Sequence, residues 1–437
     1  MQLYRVYFWS FVVALGGLLF GFDTAVISGA ERAIQELWHL NSIAHGFTVA
    51  SGLIGTVLGA VFAAAPAQRY GRKASLYVIA ILYLLCSLGC AITSSWWVFV
   101  LSRTIGGVAV GASSVVGPMY IAELAPARLR GRLVGSFQLN VVLGILLAYV
   151  SNYFLIGFGQ ESWRWMLGVQ AIPSLLFLIL LLFVPESPRW LALRGHEDKA
   201  RRVFRLSGER DVDKVMADVS VGFQGTPAEN LFSRRYRKPV RYAFLLAAFN
   251  QLTGINALLY FAPRIFELTG IGQEHAFLQS ISIGVTLFVF TMIGVSIIDR
   301  FGRKTLLLVG TFGMTIFLAL SGWSISLADG GILPMLCLIG FIVFFSFSQG
   351  AVIWVFISEI FPNSIRSKGQ SLGSTTHWLA AAFISFLFPI IAEDVVNGVE
   401  LSFYFFAAMM ALHFWFAWRY LPETKGKSLE EIERDMA

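Results

Sequence analysis

Charge is scarce in this chain. Of its 437 residues 14% are Asp, Glu, Lys or Arg, against 57% that are hydrophobic, and the mean hydropathy is +0.70. A water-soluble domain carries roughly a quarter of its residues charged, so an ordinary soluble domain is excluded and lipid must be most of the solvent. Cysteine is nearly absent: Cys86, Cys90 and Cys337 all fall inside apolar runs, which removes a disulfide framework and any zinc spacing and leaves them as packing residues. No Asn-x-Ser/Thr sequon occurs, so one mark of a eukaryotic cell-surface protein is missing and a bacterial inner membrane is the expected setting. Gly426-Lys427-Ser428 lacks the upstream glycine of a phosphate-binding loop, and neither His-Glu-x-x-His nor Gly-x-Ser-x-Gly appears. The sequence therefore offers no metal site, no cofactor site and no enzyme's catalytic constellation.

What the chain does hold is long apolar runs. Crossing a hydrocarbon core takes roughly 20 consecutive apolar residues. Twelve such stretches can be drawn, over 6 to 29, 46 to 67, 75 to 94, 96 to 120, 133 to 156 and 164 to 184, then 242 to 262, 277 to 298, 305 to 327, 332 to 357, 371 to 392 and 400 to 421. Runs of this length, without the alternation of a barrel strand, satisfy their backbone groups internally as helices. The expected class is an all-α membrane protein with twelve transmembrane helices. The first run is too long for a signal peptide and passes through Gly21-Phe22-Asp23 without a cleavage site, so it is read as the first span.

The net charge of +7 does not point to nucleic acid, because the basic residues sit in short segments between spans. Arg69, Arg72, Lys73, Arg128, Arg130, Arg132, Arg300, Arg303, Lys304, Arg366 and Lys368 share one side with both termini, which makes that side cytoplasmic. The opposite loops carry acids such as Glu31, Glu36, Asp329, Glu393 and Asp394.

Residues 185 to 240 turn polar and suit short amphipathic helices, dividing the chain into a six-span half over 1–184, a linker over 185–240, a second half over 241–421 and a tail over 422–437. The halves echo each other. Arg69-Tyr70-Gly71-Arg72-Lys73 recurs as Arg300-Phe301-Gly302-Arg303-Lys304, Glu123-Leu124-Ala125-Pro126 with Arg130 as Glu359-Ile360-Phe361-Pro362 with Arg366, and Pro185-Glu186 as Pro422-Glu423. A parallel repeat of this kind belongs to transporters that bind substrate near the bilayer midplane and expose it alternately to each side.

Asp23 lies well inside the first span, where an ionisable group is costly enough to be a functional candidate, and Arg103 inside the fourth span is its expected partner. Two readings stand: a proton site whose protonation releases Arg103, or a permanent ion pair. The small residues Gly106-Gly107-Val108-Ala109-Val110-Gly111 after Arg103 allow close helix approach.

The motifs Arg69 to Lys73, Pro118-Met119-Tyr120-Ile121-Ala122-Glu123, Pro185-Glu186-Ser187-Pro188-Arg189-Trp190, Gln251-Leu252-Thr253-Gly254-Ile255-Asn256 and Pro422-Glu423-Thr424-Lys425-Gly426 resemble, in order and over the whole chain, those of the sugar porter family of the major facilitator superfamily. The resemblance implies transport of a monosaccharide, pentose or hexose, by proton-coupled symport, with a facilitative uniporter and a transport-inactive sugar sensor as alternatives. It implies a monomer whose partners are sugar, protons and the lipid bilayer. It makes Asp23 and Arg103 the coupling pair and puts Phe20, Gln138, Asn250, Gln251, Asn256, Tyr260, Trp354, His377 and Trp378 at the sugar. Arg69, Arg72, Glu123, Arg130, Glu186, Arg189, Arg300, Arg303, Glu359, Arg366 and Glu423 become a cytoplasmic charge network, although such charges also simply set topology. Thr253-Gly254-Ile255-Asn256 is expected to interrupt the seventh span, with Gly254 as a hinge or a packing point.

Several family positions are altered. Gln68 replaces the usual motif acid, Asn250 the first of paired glutamines, Leu287 an asparagine and Ala351 a proline, while His377 stands where an amide is usual and Gln170 where an acid can stand. These changes leave the identity of the sugar open.

Overall fold

Apolar runs with no strand alternation give helices throughout the described residues of the computed structural model, which are 2–159, 161–209, 211–222, 230–268, 270–327, 332–362, 365–425 and 431. Asp329, Gly426, Lys427, Ser428 and most of the 422–437 tail lie outside them, as does part of the linker. The helices of the first six spans and their loops are α1 (Gln2–Val26), α2 (Glu31–Leu37), α3 (Ser42–Phe62), α4 (Ala64–Tyr70), α5 (Arg72–Ile92), α6 (Trp96–Leu124), α7 (Ala127–Leu155), α8 (Ser162–Gly168) and α9 (Ala171–Leu180). Three short helices follow, α10 (Pro188–Leu193), α11 (Glu197–Ser207) and α12 (Val212–Gly222). The remaining spans are α13 (Arg237–Gln251), α14 (Ile255–Glu267), α15 (Gln273–Phe301), α16 (Arg303–Ser326), α17 (Leu333–Phe347), α18 (Gln349–Glu359), α19 (Arg366–Asp394) and α20 (Gly398–Tyr420). Among the described residues twelve segments are long and apolar enough to cross a membrane. The protein is an integral membrane protein.

Two spans are broken. The seventh divides into α13 and α14 at Gly254, whose φ of +78° is open to glycine at little cost. A Cβ there would overlap the Phe406 ring. The tenth divides into α17 and α18 at Ser348, with φ −106° and ψ −90°. Broken backbone at membrane depth is tolerated only where protein or a cavity covers it.

The chain forms two compact units, one of 1–24, 54–145 and 164–227, the other of 25–53, 146–163 and 228–437. The first is built around Tyr83, Tyr120, Phe137 and Phe177 of the spans, with Val203, Phe204 and Met216 of the linker helices on the same core. The second is built around Leu246, Leu307, Ile353, Phe356, Phe361 and Phe416.

Candidate functional site

In the first unit α1 carries Asp23 and α6 carries Arg103, and both side chains are buried. Arg103 Nη1 donates to Asp23 Oδ1 at 2.9 Å, and Nη2 reaches the Asp23 carbonyl at 3.5 Å. The Cys86 thiol on α5 faces the same carboxylate oxygen at 3.8 Å. Gly106 lets α5 come this close, since a Cβ there would overlap Cys86 and stand 3.5 Å from Asp23 Oδ1. Separating such a buried pair by removing one partner costs about 3–5 kcal/mol, so a proton arriving at Asp23 is a strong perturbation.

In the second unit the seventh-span break gathers amides into one buried chain. Asn256 Nδ2 donates to Gln251 Oε1 at 2.6 Å, Gln251 Nε2 to Asn250 Oδ1 at 3.0 Å, and Asn250 Nδ2 to Gln349 Oε1 at 3.2 Å. Gln349 Nε2 then donates to Nδ1 of His413 at 3.0 Å and also meets Met410 Sδ at 3.3 Å. Every donor points toward His413. The far end, Asn256, therefore presents its Oδ1 as an acceptor. Phe249 stacks on His413 with centroids 4.7 Å apart and 6° between the planes. Gln251 Nε2 also lies 3.1 Å from Nε2 and 3.2 Å from Nδ1 of His377. The His377 ring packs against Trp354 at 4.9 Å and Trp378 at 4.8 Å, with Trp354 more exposed than its neighbours at 37%. Amide and imidazole groups beside flat indoles are what a polyol ring needs, polar partners at its rim and apolar faces against it.

Of the residues expected at the sugar, Asn250, Gln251, Asn256, Trp354, His377 and Trp378 come together here, and Tyr260 is buried on the same α14. Phe20 and Gln138 belong to the first unit, where both are half-buried and Phe20 packs on the core. Leu287 and Ala351 are buried in the second unit.

The repeated charge motifs fold into the same device twice. Arg72 forks onto Glu123 through Nε at 2.9 Å and Nη2 at 2.8 Å, and Ser187 Oγ donates to that carboxylate at 2.5 Å. Glu186 accepts from the backbone N–H of Arg72 at 3.0 Å and of Lys73 at 3.1 Å, at the start of α5. In the second unit Arg303 Nη2 donates to Glu359 at 2.9 Å and Thr424 Oγ1 to the same carboxylate at 2.6 Å. Glu423 accepts from the N–H of Arg303 at 2.9 Å and of Lys304 at 3.0 Å, at the start of α16. The carboxylates sit at positive helix ends, and Gly71 and Gly302, with φ of +104° and +89°, make room for them. Burial pushes the Glu186 carboxyl up, and the backbone N–H groups of Ser187, Lys73 and Arg72 pull it part of the way back.

Other members of the expected network sit differently. Arg69 and Arg300 are exposed and lie over the rings of Tyr70 and Phe301 at 5.3 and 5.7 Å, outside both ion pairs. Arg130 donates to the Ala122 carbonyl at 3.0 Å and Arg366 to that of Phe361 at 3.4 Å, so both tie helix ends together. Arg189 is half-buried on α10. Gln349, His413, Ser187 and Thr424 escaped the sequence reading. The signal that could have found the two hydroxyls is that the echo of Pro185-Glu186 by Pro422-Glu423 is followed in each case by a hydroxyl residue, Ser187 and Thr424, whereas nothing in the sequence paired Gln349 with His413.

The profile of the family "Sugar (and other) transporter" matches residues 9–436. The D-xylose transporter of Levilactobacillus brevis is 39% identical, covering 98% of this chain and 94% of that protein. The D-xylose-proton symporter of Escherichia coli K12 is 36% identical, covering 97% of this chain and 94% of that one. The solved inward-open structure of the E. coli xylose transporter superposes with a TM-score of 0.88 at 35% identity, over 98% of this chain and 99% of the other.

Proposed function

Because the chain belongs to the sugar (and other) transporter family, we propose that it carries a monosaccharide, a pentose or a hexose, across the cell membrane together with a proton, by alternating access. The observation that carries this reading is the buried Asp23–Arg103 pair at 2.9 Å. Protonating Asp23 removes the charge that holds Arg103, so the pair has two discrete arrangements and a proton selects between them. The sugar is held by the one-way amide chain, with a hydroxyl donating to Asn256 Oδ1 and the ring lying against Trp354 and Trp378. Gln138, Tyr260 and Phe20 complete the binding set in this reading.

The protein works as a monomer in lipid, in a bacterial inner membrane, with both termini cytoplasmic. Its working parts are the half over 1–184, the linker over 185–240, the half over 241–421 and the tail over 422–437. The Arg72–Glu123 and Arg303–Glu359 devices serve as cytoplasmic latches, with Arg69, Arg130, Glu186, Arg189, Arg300, Arg366 and Glu423 around them.

Uptake of labelled pentoses and hexoses into proteoliposomes, with and without an inward proton gradient, tests this for wild type and Asp23→Asn. Accumulation above equilibrium that needs both the gradient and Asp23 is the expected result. Equilibration indifferent to both makes the protein a uniporter and Asp23–Arg103 a structural pair.

A further inference from the structure

His45 enters the second span on α3 and has no exposed surface. Its Nε2 lies 2.8 Å from Glu31 Oε2 on α2, and its Nδ1 lies 3.0 Å from Glu393 Oε1 on α19. The Phe261 ring of α14 stands edge-on to it at 5.8 Å, backed by Phe388 of α19 at 5.2 Å from Phe261. A neutral imidazole has one N–H and can donate to one carboxylate, leaving its other nitrogen's lone pair facing the second. Both contacts become attractive together only when one more proton is present, on the ring or on a carboxyl group.

Charge balance leads to the same place. Arg264 of α14 bridges the two acids, with Nη1 3.2 Å from Glu31 Oε2 and Nη2 3.1 Å from Glu393 Oε1. One guanidinium against two carboxylates leaves a net negative charge in a place where Glu31 is 2% exposed, and a proton brings the cluster to neutrality. The surrounding groups do not supply that charge. Gln35 is neutral, taking a hydrogen bond from Arg264 at 2.8 Å and giving one to Glu393 at 2.9 Å. Asp394 accepts from Ser42 Oγ at 2.6 Å. Arg32 faces Glu267 at 2.5 Å and Glu36 at 3.0 Å.

We propose that His45, Glu31 and Glu393 form a proton-binding site separate from Asp23, in which one proton is shared among an imidazole and two carboxylates that join α2, α3 and α19. Arg264 and Gln35 position the two acids. Deprotonation leaves the buried Glu31 and the half-buried Glu393 carboxylates facing a ring that can serve only one of them, so the bound proton holds these helices together. The proton site stands apart from the symport proposed above and does not need the protein to carry sugar.

The test counts protons. Full-length protein in lipid nanodiscs, without sugar, is taken from about pH 5 to about pH 10, a window that spans imidazole and perturbed carboxyl groups, and the protons released are read with an indicator dye. Glu393→Gln and Glu31→Gln each let a neutral imidazole donate to the remaining carboxylate and accept from the new amide. Each is expected to release about one proton fewer than wild type, and the loss is expected to persist when Asp23→Asn is added. Folding is checked by gel filtration, and either carboxamide variant suffices if the other does not fold. Release equal to wild type in a folded variant overturns the proposal, while the proposed symport is judged separately by uptake.

Discussion

Gln349 donates to Nδ1 of His413 at 3.0 Å, and neither side chain has any exposed surface. This contact closes the amide chain at its inner end, and it sets which atom Asn256 offers at the other. His413→Leu would leave the Gln349 N–H buried without its acceptor, a cost of about 1–3 kcal/mol. The variant is expected to melt lower and to bind sugar several-fold more weakly, because the chain can then flip and turn Asn256 Nδ2 outward. His413→Asn, which keeps an acceptor, is expected to recover much of both. Deoxyfluoro sugars give the sharper measurement: fluorine accepts but cannot donate, so wild type should discriminate against one such analogue and His413→Leu should lose that discrimination.

The repeat was legible because it is written in residue types that lipid makes expensive or that backbone geometry demands. Arg72, Glu123 and Gly71 recur as Arg303, Glu359 and Gly302, and each triplet closes around a helix start. Asp23 and Arg103 were legible for the same reason, since an ion in a span needs a named partner. His413 and Gln349 were not, because a lone histidine or amide on an apolar helix reads equally as packing until the facing helix is known. The break at Ser348 also escaped, as no proline marks it, whereas Gly254 announced the break in the seventh span. Helix α2, with Glu31 and Gln35, read only as an acidic loop.

The Glu186 carboxyl, raised by burial from the ordinary 4.5, carries a pH signature. An acid whose folded-state value lies above its unfolded one binds protons more tightly when folded. Its contribution to stability is present at low pH and is lost as pH rises through the folded value. Glu186→Gln removes that term, so the melting temperature of wild type relative to the variant is expected to increase as pH falls through the region just above 4.5. A gap that stays constant from neutral pH downward would mean that the backbone N–H groups of Arg72 and Lys73 fully offset the burial.

Gly254 offers a steric test. Its φ of +78° costs an L-residue about 1–2 kcal/mol, and a Cβ would overlap Phe406 as well. Gly254→Ala is expected to lower the melting temperature and to abolish uptake, because the backbone that positions Asn256 must shift. Gly135→Ala is the control: it sits inside α7 with no atom within 4 Å of the added carbon. There alanine is expected to be neutral or to stabilise by about 0.5–1 kcal/mol, as helix propensity dictates.

The Asp23–Arg103 pair separates stability from coupling. Either Asp23→Asn or Arg103→Gln alone leaves a partner buried without its counter-ion, and each is expected to cost about 3–5 kcal/mol of stability. The double variant Asp23→Asn/Arg103→Gln replaces both charges with amides that can bond to each other, so its melting temperature should return most of the way to wild type. Transport should not follow: without a carboxylate to protonate, the double variant is expected to equilibrate sugar and fail to accumulate it under a proton gradient. If stability and accumulation recover together in the double variant, the pair is structural and the proton is carried elsewhere in the protein.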